Sequence, residues 1–141
     1  MIKQKVFVSF DWTNDKHYKF LLEAWHKNDK FDFVFDDATP EEINSNNVGR
    51  IKAALTAKIK NATHTLVIIG KEANKLHWKN QLIEFRNWIN FEVYQSWLNK
   101  NKIIAVRIDR ENEAPEKCLN IGAKWVTGFS EAGIIKALNE A

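Results

Sequence analysis

Glycine is missing from the start of the chain as far as Gly49. A dinucleotide fingerprint or a P-loop needs glycines just after the first strand, where backbone N–H groups must approach phosphates. Neither motif is therefore available. Gly70-Lys71-Glu72 has the Gly-Lys pair of a P-loop but lacks the spaced upstream glycine and the Ser or Thr after the lysine. Cysteine is nearly absent too: Cys118 stands alone, which excludes an internal disulfide and a cysteine-rich zinc site. His17, His26, His64 and His77 are scattered, with none paired at metal-ligand spacing, so no metal is expected. No apolar run approaches the roughly 18 residues of a membrane span, and no signal-peptide pattern opens the chain. The formal net charge of +3 comes without a basic cluster, which gives no reason to expect nucleic acid or a membrane as partner. These absences leave a soluble, cytoplasmic protein as the expectation.

What is present suits a packed core. Hydrophobic residues make up 45% and charged residues 28%, which excludes a disordered chain. A length of 141 residues fits a single domain, 1–141. Lys5-Val6-Phe7-Val8-Ser9-Phe10 reads as a buried first strand, and Phe31-Asp32-Phe33-Val34-Phe35 as a second that ends in Asp36-Asp37. Between them, residues 16–28 carry Phe20, Leu21, Ala24 and Trp25 as a helical apolar stripe. Thr39-Pro40-Glu41-Glu42 has the chemistry of a helix start, but the polar residues after it predict a loop over 38–47 with one short turn.

A second amphipathic helix follows over 48–60, then a third strand at 65–69. Residues 72–101 are helix-compatible, with a break expected between about 73 and 80, because an unbroken helix there would be longer than this domain needs. A fourth strand at 103–108, a short helix from Glu113 to Gly122, a stub strand at Trp125-Val126 and a last helix capped by Ser130 complete the chain. This alternation predicts an α/β fold, a five-stranded parallel sheet with helices on both faces. Ligands of such sheets bind beyond the carboxyl ends of the strands, where strand order reverses. That places candidates at Ser9 to Trp12, including Phe10 and Asp11, at Asp36 to Ala38, including Asp37, at Gly70 to Asn74 and at Asp109 to Glu111. Two adjacent acids at a strand end can bind ribose hydroxyls or simply cap a turn.

Six tryptophans are many for this length, and most should serve as core or interface anchors. Trp88 is singled out because Glu92 lies four residues on, on the same helix face. A carboxylate flanked by Phe91 and Val93 either points to solvent or sits partly desolvated in a pocket. Glu84 is a second carboxylate on the same segment, and periodicity alone does not separate the two. A response-regulator receiver is the competing five-unit fold, but the third strand closes in Ile69-Gly70 and not in the Asp that receiver chemistry needs.

Taken together, several stretches resemble the bacterial TIR-like domain family, in particular the TIR-like subunit ThsB of the Thoeris anti-phage system. They are Val6-Phe7-Val8-Ser9-Phe10, Phe35-Asp36, Leu66-Val67-Ile68-Ile69-Gly70, and Trp88-Ile89-Asn90-Phe91-Glu92 followed by Asn101-Lys102-Ile103-Ile104-Ala105-Val106. The resemblance covers nearly the whole chain. It departs from the family where the Trp88 motif comes late, as if residues between about 73 and 86 were inserted. Trp78 and Glu84 then form an alternative match, while Glu92 keeps the usual interval to the fourth strand.

The resemblance implies a flavodoxin-like sheet and NAD as a substrate, not a bound cofactor, cleaved at the nicotinamide–ribose bond. It implies a cyclic or modified ADP-ribose messenger, a downstream effector that senses it, and self-association. The family's catalytic glutamate maps onto Glu92, with Ser9, Phe10, Asp11, Asp36, Asp37, Trp88 and Asn90 as substrate-binding candidates. The 38–47 loop would close over the site. A non-catalytic TIR-like interaction module, signalling through its tryptophans, is the alternative expectation, and a phosphorylation-independent receiver-like domain a third.

Overall fold

Runs of β-branched and aliphatic residues take the extended form where both faces can be covered. In the computed structural model they form five strands: β1 (Gln4–Ser9), β2 (Phe33–Asp36), β3 (His64–Ile69), β4 (Lys102–Arg107) and β5 (Lys124–Thr127). The structure describes residues 4–27, 32–36 and 46–141, without the side chains of His26 and Asp36. Asp37, Thr39-Pro40-Glu41-Glu42 and most of the expected 38–47 loop lie outside the described residues. All strand pairs are parallel, in the order β2-β1-β3-β4-β5. This is the flavodoxin-like order, with its reversal between β1 and β3. The α/β, five-stranded parallel architecture read from the sequence is the one observed.

Helices cover both faces. Val6, Val8, Leu66, Ile68, Ile104 and Val106 point to one side. There they meet Leu22 of α1 (Trp12–His26) and Ile134 and Leu138 of α5 (Glu131–Glu140). On the other side Phe7 packs with Ile51, Leu55 and Ile59 of α2 (Val48–Lys60), while Val67, Ile69 and Ala105 meet Ile89 and Val93 of α4 (Trp88–Leu98). Strand alternation sorts the side chains between the two layers.

Three expectations need correction. The stripe on α1 is out of phase: Phe20 and Leu21 are 51% and 45% exposed and Ala24 is exposed, whereas Leu22 is buried. Asp11 caps the helix, so it begins at Trp12, earlier than residue 16, and its inner row runs Asp15, Tyr18, Leu22, Trp25. The 72–101 stretch is broken further than expected. A single turn, α3 (Asn80–Ile83), stops at Glu84, whose φ of 69° is left-handed, and α4 starts only at Trp88. Finally, the short helix after Glu113 is one 3-10 turn, Glu116–Cys118. Cys118 is buried there, and burial pushes its thiol up to about 12, so it packs and does not react.

Candidate functional site

The α2/α4 face of the sheet carries a connected line of polar groups. Asn101 Nδ2 donates to Thr65 Oγ1 at 3.2 Å, and Thr65 Oγ1 donates to Ser96 Oγ at 2.7 Å. Ser96 Oγ then donates to the Glu92 carbonyl at 2.8 Å. At the carboxyl end of β1, Ser9 Oγ donates to Glu92 Oε1 at 2.5 Å. Glu92 is 2% exposed, and Ser9 is fully buried. The first strand and the fourth helix are thus tied together at the switch point between β1 and β3. Glu84, by contrast, is exposed and reaches Lys52 at 3.4 Å. Of the two carboxylates that periodicity left open, only Glu92 is inside.

A cavity of about 400 Å³ opens beside this pair. Phe10 and Trp88 form part of its wall, together with Asp11, Trp12 and the outer residues Lys75, His77 and Trp78. Phe10 follows Ser9 in the chain, and Trp88 precedes Glu92 by about one helical turn. Ser9 and Glu92 are not themselves among the described lining residues; they stand next in line behind two that are. Trp88 is 8% exposed and meets Phe91 edge-on at 5.7 Å between ring centroids. Asp11 lines the same cavity with both oxygens engaged, Oδ1 by the Thr13 N–H at 3.1 Å and Oδ2 by Asn14 Nδ2 at 2.6 Å.

Asn90 lies elsewhere. Its Nδ2 donates to Asn74 Oδ1 at 3.1 Å and to Asn87 Oδ1 at 2.9 Å, and its Oδ1 accepts from the Lys117 N–H at 2.9 Å. Its amide braces three chain segments behind the cavity. Asp36 ends β2 next to Phe7, and the structure describes its backbone only. Among the expected residues, then, Ser9 and Glu92 are joined, Phe10, Asp11 and Trp88 share a cavity wall, and Asn90 stands apart as a brace.

Two features were missed from the sequence. The first is the stretch of cavity wall contributed between β3 and α4. Asn87 caps α4 by accepting from the Asn90 N–H, while its Nδ2 donates to the carbonyls of Ala73 and Lys75, both at 2.9 Å. His77 stands on that wall, where burial and then nearby Lys79 hold its pKa below the usual value. Its Nδ1 accepts from the Lys79 N–H at 2.9 Å, as a neutral ring can. The signal for this wall was Asn87, a good capping residue one place before the Trp88 motif.

The second is Asp15, 5% exposed, with Oδ2 lacking a hydrogen-bond partner. Burial first, then repulsion from Asp11, pushes its pKa up to about 6, against the opposing pull of His17. A side chain at Gly70 would run into the Asp15 carboxylate, so glycine at the end of β3 is what admits the acid. Its position in the 15, 18, 22, 25 row was the sequence clue.

Fold and site together define a doubly wound flavodoxin-like domain with a buried carboxylate at its switch point. The family model described as Thoeris protein ThsB, TIR-like domain, matches residues 7–113, and the chain belongs to that family. The match runs from within β1 to beyond β4 and takes in both Ser9 and Glu92. No curated protein matches the chain. Among solved structures it is similar to a 2-desoxiribosyltransferase from Leishmania mexicana, with a TM-score of 0.61 and 11% identity over 96% of this chain and 97% of that one. A 3-dehydroquinate dehydratase-like protein from Bifidobacterium longum is a looser match, with a TM-score of 0.47 and 11% identity over 99% and 94%. At such identities the likeness is one of fold. No described helix is long and apolar enough to cross a membrane.

Proposed function

We propose that this Thoeris-associated domain is an NAD-processing enzyme with Glu92 as its essential carboxylate. The observation that supports this most is the Ser9–Glu92 hydrogen bond of 2.5 Å at the strand-order reversal, one helical turn from the Trp88 wall of a cavity. The reaction is cleavage of an N-glycosidic bond. The C1′–N bond breaks, and nicotinamide leaves as a neutral ring with the bonding electron pair, so no strong general acid is required. The cationic ribose carbon then needs a fixed negative charge beside it, or a carboxylate oxygen that bonds to it. Ser9 holds the Glu92 carboxylate in one orientation.

Phe10 and Trp88 supply an apolar wall that keeps water away until a second nucleophile attacks C1′. That attack yields a cyclic or modified ADP-ribose, the messenger for a downstream effector. Asp11, Asp36 and Asp37 are the acids for ribose hydroxyls at the strand ends. Asn90 acts as a positioning residue, through Asn87. Self-association of the domain completes this reading.

The test is incubation with NAD and measurement of free nicotinamide for wild type and Glu92→Gln. The expected outcome is release by wild type and a loss of about 100-fold or more in the variant, on the scale of removing one preorganised charge-stabilising group. Equal release by both proteins removes Glu92 from the role. Release by neither, measured on dispersed and on assembled protein, removes the NAD reading.

A second reading, a non-catalytic interaction module, draws on the groove between α2 and α4, where Phe85, Phe91 and Tyr94 line a surface flanked by the exposed Trp97. Under it, Glu92→Gln leaves signalling intact while Trp97→Glu abolishes it.

A further inference from the structure

The part of the cavity lining contributed between β3 and α4 presents a contradiction in ordinary packing terms. The segment between β3 and α4 is tightly pinned. Arg86 Nε donates to the Asn74 carbonyl at 2.5 Å, the His77 N–H to the Arg86 carbonyl at 2.9 Å, and Asn80 Nδ2 to the His77 carbonyl at 2.8 Å. Asn87 ties both Ala73 and Lys75 from below. Yet this rigid frame holds the Trp78 indole 83% exposed, at the edge of the cavity it helps to line. An indole that could be buried carries a large apolar area, and a fixed backbone keeps it from folding inward.

The surroundings of the ring specify a chemistry. The His77 ring lies nearly parallel to it, at 17° and 6.0 Å between centroids. Lys79 Nζ sits 4.8 Å from the indole centroid, and Lys75 lines the same wall. An indole with the Lys79 ammonium over its face and Lys75 on the same cavity lining fits a planar base attached to phosphates, the base displacing Lys79 Nζ toward those phosphates. Asp11 and Glu72 also line the cavity and would repel phosphates, which places them toward Lys75 and Lys79.

We infer that Trp78, with His77, is the stacking platform for the second, non-reacting base of a dinucleotide, and that Lys75 and Lys79 face its pyrophosphate. This rests on the NAD reading above, in which the nicotinamide end lies against Phe10 and Trp88. A cavity of about 400 Å³ suits one end of such a ligand and leaves the other at the mouth. The late position of the Trp88 motif in the sequence then acquires a purpose: the extra residues build the platform.

The test is calorimetric titration of the whole domain with ADP-ribose, which carries the second base and the pyrophosphate, and with nicotinamide mononucleotide, which carries neither. Trp78→Ala is expected to weaken ADP-ribose by about 10- to 100-fold, the scale of one lost base stack. Trp78→Phe should restore most of that affinity. Nicotinamide mononucleotide should bind both variants as it binds wild type. Leu82→Ala, which removes another exposed apolar side chain outside the cavity lining, should change nothing.

Unchanged ADP-ribose affinity in Trp78→Ala overturns the platform, and nicotinamide release by the wild type then still upholds the NAD reading. Trp78-dependent ADP-ribose binding without nicotinamide release upholds the platform and overturns cleavage. Equal weakening of both ligands overturns the assignment by placing Trp78 at the reacting end. A wild type that binds no ADP-ribose overturns the platform, and nicotinamide release alone then decides the NAD reading.

Discussion

On the face covered by α1 and α5, aliphatic side chains from three strands meet Leu22, Ile134 and Leu138. The buried polar groups described there sit near its two ends: Asp15 by Gly70, and His64 at the start of β3. On the face covered by α2 and α4, polar groups run through the middle, from Asn101 through Thr65 and Ser96 to Glu92 and Ser9. The first face is held by area removed from water, which tolerates small shifts of a helix. The second is held by directed bonds, each costly to leave unmade in a dry interior. The contrast teaches that α4 is fixed in rotation and register by its polar line, and that this fixes the Glu92 carboxylate.

Four substitutions would break or sharpen that contrast. Leu22→Ala on the apolar face should cost about 2–5 kcal/mol in urea unfolding, as a large-to-small change at a fully buried site. Nicotinamide release per folded molecule should stay the same. A large change in release per folded molecule would show that the two faces are coupled after all.

Asp15→Asn should stabilise the protein by on the order of 1–3 kcal/mol at neutral pH. The sign follows from a folded-state pKa raised from 3.8 to about 6. Below 3.8 both states hold the proton and the penalty is absent. As the pH rises through that range the unfolded chain ionises first and stability falls, and above about 6 the loss is constant. Melting temperatures of wild type and variant should therefore converge in acid, separate as the pH rises from 3.8 to about 6, and stay apart by a constant margin above that. Parallel curves at every pH would reject a buried, titrating Asp15.

Ser96→Ala removes two links of the polar line and should cost about 1 kcal/mol, with a loss of nicotinamide release beyond what unfolding explains. The smallest effect is expected from Ser130→Ala, which removes the hydroxyl that accepts from the Gly133 N–H at the start of α5. It should cost about 0.5–1 kcal/mol and leave release untouched. If Ser96→Ala and Ser130→Ala are indistinguishable in release, the polar line does not position Glu92.

The strands were legible because apolar runs such as Leu66-Val67-Ile68-Ile69 have few other places to go than a sheet covered on both faces. The fold class followed from the alternation with helices, and the flavodoxin-like arrangement from the family resemblance. The face of α1 was not legible: Phe20, Leu21 and Leu22 are all apolar, and which one turns inward is set by the Asp11 cap and by the Asp15–Gly70 contact, both matters of tertiary geometry. The late start of α4 was hidden because no glycine or proline marks residues 72–87. A left-handed Glu84 and an asparagine cap do that work. In the candidate site, the carboxylate could be named from its motif, but its partner and its competitor could not be ranked. Ser9 and Glu92 are 83 positions apart, and no local pattern reports that a hydroxyl on one strand meets an acid on a distant helix.

Asn87 has one further consequence. Its side chain clips Ala73 and Lys75 to the first turn of α4, so the excursion between them is closed at its base like a loop of thread under one stitch. What lies beyond the stitch can be lengthened, shortened or exchanged without tugging on the acid behind it. Selection has there a length of chain to vary without disturbing the Ser9–Glu92 contact, and an engineer could swap it as a cassette.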